Sequence, residues 1–186
     1  MGRGRERAEP QHAKSSRSGA GPRPVPALSS ATVPRVWQGI GYRPLPDAAQ
    51  ARPLFEFAAL PWPAGRDIAF AWGASAAADA EPLVGAVVAE RSGSAMMLHG
   101  PVVTAGAVPL EIAAQLVAAA LDHATAAGAT TVFVRPQGLD RVWVRFGFIP
   151  VPESTLPAGL AGPGGVGLYA WRGGSALWTL RENATA

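Results

Sequence analysis

Residues 97–103 read MLHGPVV, an Ala/Leu-rich stretch follows and closes on AAGA at 126–129, and TTVFVR occupies 130–135. GLDRVWVRFGFIPVP, at 138–152, completes the segment. It reads as strand, long amphipathic helix, buried strand, short helix ending in Gly-Phe, and strand. The helix, expected over 109–127, is the clearest element. Ala113, Leu116, Val117, Ala120, Leu121 and Ala124 recur with helical spacing and make one apolar stripe. Pro109 suits the first turn and Gly128 the C-terminal stop. His123 falls on the face opposite the stripe and is expected in solvent. Val132 and Val134 flank Phe133 in a buried strand, 139–146 make the short helix, and Phe148–Val151 is the next strand.

Upstream, Val36, Ile40 and Tyr42 suit a first strand, weakened by Gly39 and Gly41. A helical stretch opens at Pro46-Asp47, with Ala49, Leu54, Phe55 and Ala58 in rough phase. Ile68, Phe70 and Trp72 alternate with small residues as a half-buried strand does. Leu83 to Glu90 is a continuous apolar run typical of a central strand. A turn at Arg91–Ser94 leads into Ala95–Val103 and closes an antiparallel meander. Downstream, Val166–Trp171 reads as a further strand after a Pro/Gly-rich loop. Strands, helix, strand, helix and strands imply a mixed α/β sheet.

Charge divides the chain. Residues 1–35 hold seven of the sixteen Lys/Arg and two of the thirteen acids, so they carry +5 against −2 for the remainder. Residues 1–34 are rich in Gly, Pro, Ser and Arg and lack apolar periodicity, so they are expected to form a disordered basic tail before a domain at 35–186. The tail has no interleaved aromatics and no recognisable module, so specific nucleic-acid binding is not expected. It also lacks the apolar core of a secretory signal. No apolar run approaches the roughly 20 residues that span a bilayer. Without cysteine there are no disulfides, thiolate metal sites or cysteine nucleophile, and His12, His99 and His123 show no metal-ligand spacing. No metal is expected, and the reading is of a cytoplasmic protein.

The order and spacing of the elements over 97–152 resemble the acyl-CoA-binding half of the GNAT superfamily of N-acetyltransferases. The resemblance extends over 36–171 and implies a mixed, mostly antiparallel central sheet flanked by helices. In that family an Arg/Gln-x-x-Gly-x-Gly/Ala loop presents backbone amides at the start of the longest helix to the pyrophosphate of acyl-CoA. Orphan amides and the helix dipole both favour an anion there. In this register Val108 replaces Arg/Gln, Glu111 replaces the first Gly, Ala113 fills the second position, and Pro109 removes an amide. The resemblance assigns the pyrophosphate to the amides of Leu110, Glu111, Ile112 and Ala113. It assigns pantetheine pairing to strand 97–103, and polarisation of the thioester carbonyl to the Val102–Val103 backbone. A Tyr that protonates the leaving thiolate commonly stands four residues before the Gly of Gly-Phe, and here that residue is Trp143. An indole N–H donates hydrogen bonds but is not an acid near neutral pH, so core packing is the competing reading. Arg141 and Arg145 are expected on the exposed face of the short helix, with Arg145 within reach of a CoA phosphate. The general base varies in the family. His99, on the strand lining the acyl cleft, is the candidate, ahead of Glu90 and Glu56.

The resemblance thus implies an N-acetyltransferase using acetyl-CoA or another acyl-CoA, in which a small amine or amino-acid-like acceptor attacks the thioester directly. Residues 148–157, FIPVPESTLP, resemble the corresponding segment of members acting on amino-acid-like amines. The alternative, raised by Val108, Glu111 and Trp143 together, is a catalytically silent domain that binds a ligand or a protein. A third reading, nucleic-acid association through the tail, predicts binding that collapses with salt. Homodimer formation through terminal strands would use the apolar Ala176–Leu180.

Overall fold

The computed structural model describes residues 1, 30–63, 67–76, 82–104, 106, 108–161 and 176–180. Residues 2–29 of the tail and the strand expected at Val166–Trp171 lie outside the described residues. Ser30–Thr32, counted with the tail in the sequence, forms a 3-10 turn against the long helix. The chain continues as β1 (Arg35–Trp37), β2 (Ile40–Pro44), a 3-10 turn at Ala48–Ala51, α1 (Arg52–Phe57), β3 (Ile68–Ser75), β4 (Leu83–Ser92) and β5 (Ala95–Val103). Then come α2 (Pro109–Ala126), β6 (Thr131–Val134), α3 (Asp140–Arg145), β7 (Phe148–Pro150), two 3-10 turns within 153–160, and β8 (Trp178–Leu180).

One sheet holds all eight described strands in the order β1-β2-β3-β4-β5-β6-β8-β7. Every pair is antiparallel except β5 with β6, which the α2 crossover makes parallel. The single first strand expected from Val36 to Tyr42 is two strands. Gln38 and Gly39 both have positive φ (48° and 78°) and form the two-residue turn that pairs Trp37 with Ile40. β3 also departs from simple alternation. Its C-terminal half is buried on both faces because α2 covers one side and the α1 region the other.

The two faces are built differently. Under α2, Trp72, Val87, Ala89, Met96, Leu98, Leu116 and Val117 belong to one continuous core. The opposite face carries two separate clusters. Phe55, Ala71, Ala86, Val88 and Val102 form one beside α1. Ala95, Met97, Phe133, Leu156, Leu160 and Leu177 form the other beneath 151–161. Small residues keep α2 close to the sheet: Ala113, Ala119, Ala120 and Ala124 are all buried along its stripe. Burying Ile112, Leu116 and Val117 contributes about 1.5–3 kcal/mol each. The helix ends as expected at Gly128 (φ 79°), where the N–H of Ala129 donates to Ala124 and that of Gly128 to Thr125.

His123 is not on a free face. Its Nδ1 accepts from Trp72 Nε1 at 3.1 Å, and its ring stacks on Phe70 with centroids 3.9 Å apart. Burial lowers its pKa below the usual imidazole value. The helical pattern puts His123 off the stripe, but two aromatics from β3 extend the packed surface around the helix to meet it. β8 corrects a second expectation: it lies between β6 and β7 and pairs with both, so neither of its backbone edges is open to a second copy.

Candidate functional site

The site is set by an irregularity in β5. His99 pairs with Val88 and Val102 with Ala86, so β5 spends one more residue than β4 over that interval. Gly100-Pro101 is the insertion. Proline has no N–H for the ladder, and Gly100 supplies φ 90° where an added Cβ would lie 2.9 Å from the Val102 nitrogen. On the other side of β5, pairing with β6 stops at Leu98↔Val134, leaving His99–Val103 without a strand partner there among the described residues. The Thr104 N–H donates to Val84 at 2.9 Å across β4. Backbone alternation therefore turns the Val103 N–H the other way, toward the side where β6 has ended. Val102 is buried in the α1-side core, with its own polar backbone on the β4 side.

His99 sits at the start of this gap on the split face. Its Nε2 lies 2.9 Å from Glu90 Oε2. Glu90 is 4 % exposed and the only buried carboxylate among the described residues. Glu90 pairs with Met97 and His99 with Val88, so the two side chains are diagonal neighbours between the two apolar clusters. One residue beyond the last β5–β6 pair, Arg135 makes a two-pronged bridge to Glu153 at 2.6 and 2.8 Å. That bridge ties the 151–161 segment to the end of β6. Glu56, a weaker candidate base, lies on the exposed side of α1 with Arg52 Nε at 3.0 Å.

At the other end of the expected ligand path, α2 begins without a side-chain cap at Val108, and Pro109 occupies its first position. The Val108 carbonyl accepts from the N–H groups of both Glu111 and Ile112 at 3.1 Å. Of Leu110–Ala113, Leu110 is therefore the residue whose N–H has no acceptor among the described residues. Val108 and Leu110 project outward, whereas Ile112 and Ala113 are buried against the sheet. The Glu111 carboxylate faces Arg145 Nη1 at 3.5 Å, a long pair with both side chains largely in solvent, which links the first turn of α2 to the last turn of α3. Arg141 is exposed as expected.

Trp143 is fully buried and meets Phe148 edge to face at 5.0 Å, with Nε1 unpartnered. It is a core residue. Close to these residues lies one that sequence reasoning placed only in a first strand. Tyr42 lies on β2 in a row across the sheet with Ala74, Gly85 and Val103. It is fully buried with an unpartnered hydroxyl. Burial, and secondarily the Glu111 carboxylate, raise its pKa. Among the described residues, the one phenolic hydroxyl thus comes from β2, not from α3. A groove of about 550 Å³ lined by Leu121, Val144, Phe146, Phe148, Ile149 and Leu180 lies along α2 and α3, and includes none of the candidate residues.

No protein-family model matches the chain, and no curated protein matches it by sequence. Solved structures do match. N-acetylglutamate synthase from Neisseria gonorrhoeae, in complex with coenzyme A and N-acetyl-glutamate, superposes with TM-score 0.55 at 15% identity, over 79% of this chain and 35% of the synthase. The ribosomal-protein-S18-alanine N-acetyltransferase from Escherichia coli gives 0.52 at 11% identity, over 79% of this chain and 98% of that one. The aminoglycoside 6'-N-acetyltransferase from Enterococcus faecium gives 0.50 at 13%, over 75% and 95%. At these identities the likeness is one of fold.

Proposed function

We propose that this chain, which has the fold of the GNAT acetyltransferases, transfers an acyl group from acyl-CoA to a primary amine. The observation that carries the reading is the β5 gap, which puts an outward Val103 N–H and the His99 imidazole along the same unpaired strand end. An amine near neutral pH is protonated. His99 would take the proton that makes it a nucleophile. The nitrogen then attacks the thioester carbon, the Val103 N–H donates to the carbonyl oxygen as charge develops, and the C–S bond breaks. The second proton, which the nitrogen loses as the amide forms, reaches the departing thiolate through water, because Trp143 is not an acid.

The fit to acyl-CoA is uneven. The thioester end has its donor and base. The pyrophosphate end has Leu110 N–H and the exposed Arg145, but also a carboxylate in the helix's first turn. Weak binding is therefore expected, and Glu111→Gln should tighten it several-fold. Calorimetry of acetyl-CoA with the full chain is the direct test. Micromolar binding, about −8 kcal/mol, followed by turnover across a panel of primary amines, supports the transferase. No binding at millimolar ligand by either the wild type or Glu111→Gln rejects it.

The second reading, a silent domain that keeps the fold to bind a ligand or protein, is favoured by Glu111 and by the committed amides of Glu111 and Ile112. Binding without turnover of any amine would select it. Acceptor class, the specific acyl chain and a cytoplasmic setting remain part of the proposal. Among the described residues no helix is long and apolar enough to cross a membrane.

A further inference from the structure

Resting on the transferase reading, we propose that Glu90 is a positioning residue. It holds His99 in the tautomer that carries its proton on Nε2, so that Nδ1 is the atom that takes the proton of the acceptor amine. The geometry is specific. A carboxylate can only accept, so at 2.9 Å the Nε2 must donate. In the neutral ring, Nδ1 then carries the lone pair. It has no hydrogen-bond partner among the described residues, while the His99 side chain keeps 19 % of its surface exposed.

Among the described residues, the ion-pair partner of Glu90 is His99. Arg52 on α1 is engaged with Glu56, and Arg135 beyond β6 with Glu153. Arg91, next along β4, donates to the carbonyls of Gly93 and Ala127. The titratable groups of α2 (Glu111, Asp122 and His123) belong to the other side of the sheet, where Glu111 meets Arg145, Asp122 meets Arg35 and His123 meets Trp72. A buried carboxylate whose described partner is a neutral imidazole gains most when that imidazole becomes a cation. Proton transfer from an ammonium to Nδ1 creates that cation, leaving the neutral amine to form its bond to the acyl carbon as the thioester C–S bond breaks. Glu90 therefore acts through His99 and does not touch the acceptor.

The test uses the full chain. Imidazole proton–nitrogen correlation spectra, with His99 assigned by its loss in His99→Asn, should show a proton on Nε2 in slowed exchange with water and none on Nδ1. That slowed signal should vanish in Glu90→Leu and survive in Glu90→Gln, whose amide oxygen still accepts. With acetyl-CoA and an amine that the wild type acetylates, Glu90→Leu should lose on the order of 10²-fold in kcat at unchanged KM for acetyl-CoA. Glu90→Gln should lose less. A proton on Nδ1 in the wild type, a slowed signal that persists in Glu90→Leu, or an unchanged kcat in that variant overturns the inference while leaving the transferase intact. A wild type that acetylates no amine overturns the transferase reading itself, and the positioning role falls with it.

Discussion

The two faces of the sheet invest the same kinds of residue differently. Under α2 the core is continuous, and its histidine, His123, is spent on packing between Phe70 and the Trp72 indole. On the opposite face the core is divided, and its histidine, His99, lies at the division with a buried carboxylate behind it. The partner decides the outcome. An indole N–H donating to His123 is satisfied only while that nitrogen is neutral, whereas a carboxylate accepting from His99 is compatible with both protonation states. One face is built for stability and the other leaves a polar seam where chemistry is affordable.

The contrast can be broken most strongly in the continuous core. Leu116→Ala, at a fully buried position on α2, should cost about 2–5 kcal/mol in urea unfolding with an unchanged m value. A loss below about 1 kcal/mol would mean that α2 does not seat on the sheet as described. In the seam, Gly100→Ala meets both a positive φ and close backbone atoms, and should cost about 1–3 kcal/mol. On the proposed transferase function, acetyl-CoA turnover should fall with it, since the same bulge sets the direction of Val103. Tyr42→Phe tests the continuous face from another side. Removing a buried hydroxyl with no partner should raise stability by about 1 kcal/mol. Tyr42 ionises above its ordinary value near 10 when folded. The stability of the wild type should therefore be unaffected by this titration below that pH and fall as pH rises toward the folded value, while Tyr42→Phe should lack that alkaline loss.

His123 sharpens the comparison by pH. Its folded pKa lies below the unfolded value of about 6.5, so the unfolded chain binds the proton first. Its contribution is complete above that pH and declines as pH falls toward the folded value. His123→Gln keeps an acceptor for Trp72 and does not titrate. The stability difference between the two proteins should shift against the wild type on acidification, and a difference flat from pH 7 to 5 would argue against the burial of His123. The smallest effect is expected at the surface, where Arg145→Ala breaks a long, solvent-screened pair and should change stability by less than about 0.5 kcal/mol.

Much of this was readable in advance where the controlling contacts are local. The α2 stripe, its glycine stop and the β4–β5 meander follow from periodicities that a short window contains. The Glu90–His99 pair was also within reach: the turn at Arg91–Ser94 sets the register that makes these residues diagonal neighbours, although they were read as rival bases and not as one unit. The hairpin at Gln38–Gly39 was missed because three-residue strands are too short to show a period. The burial of His123 was missed because its packing partners lie on β3, some fifty residues earlier.

By itself, then, the amino-acid sequence determined the α2 crossover, the strands it joins, and the substitutions at Val108, Glu111 and Trp143, since side-chain type and spacing act within a turn or a strand. Tertiary structure alone decided that β8 is enclosed between β6 and β7, that Tyr42 lies near the start of α2, and that one histidine packs while the other is paired with a carboxylate. Those outcomes depend on which distant strands become neighbours, and no local pattern carries that information.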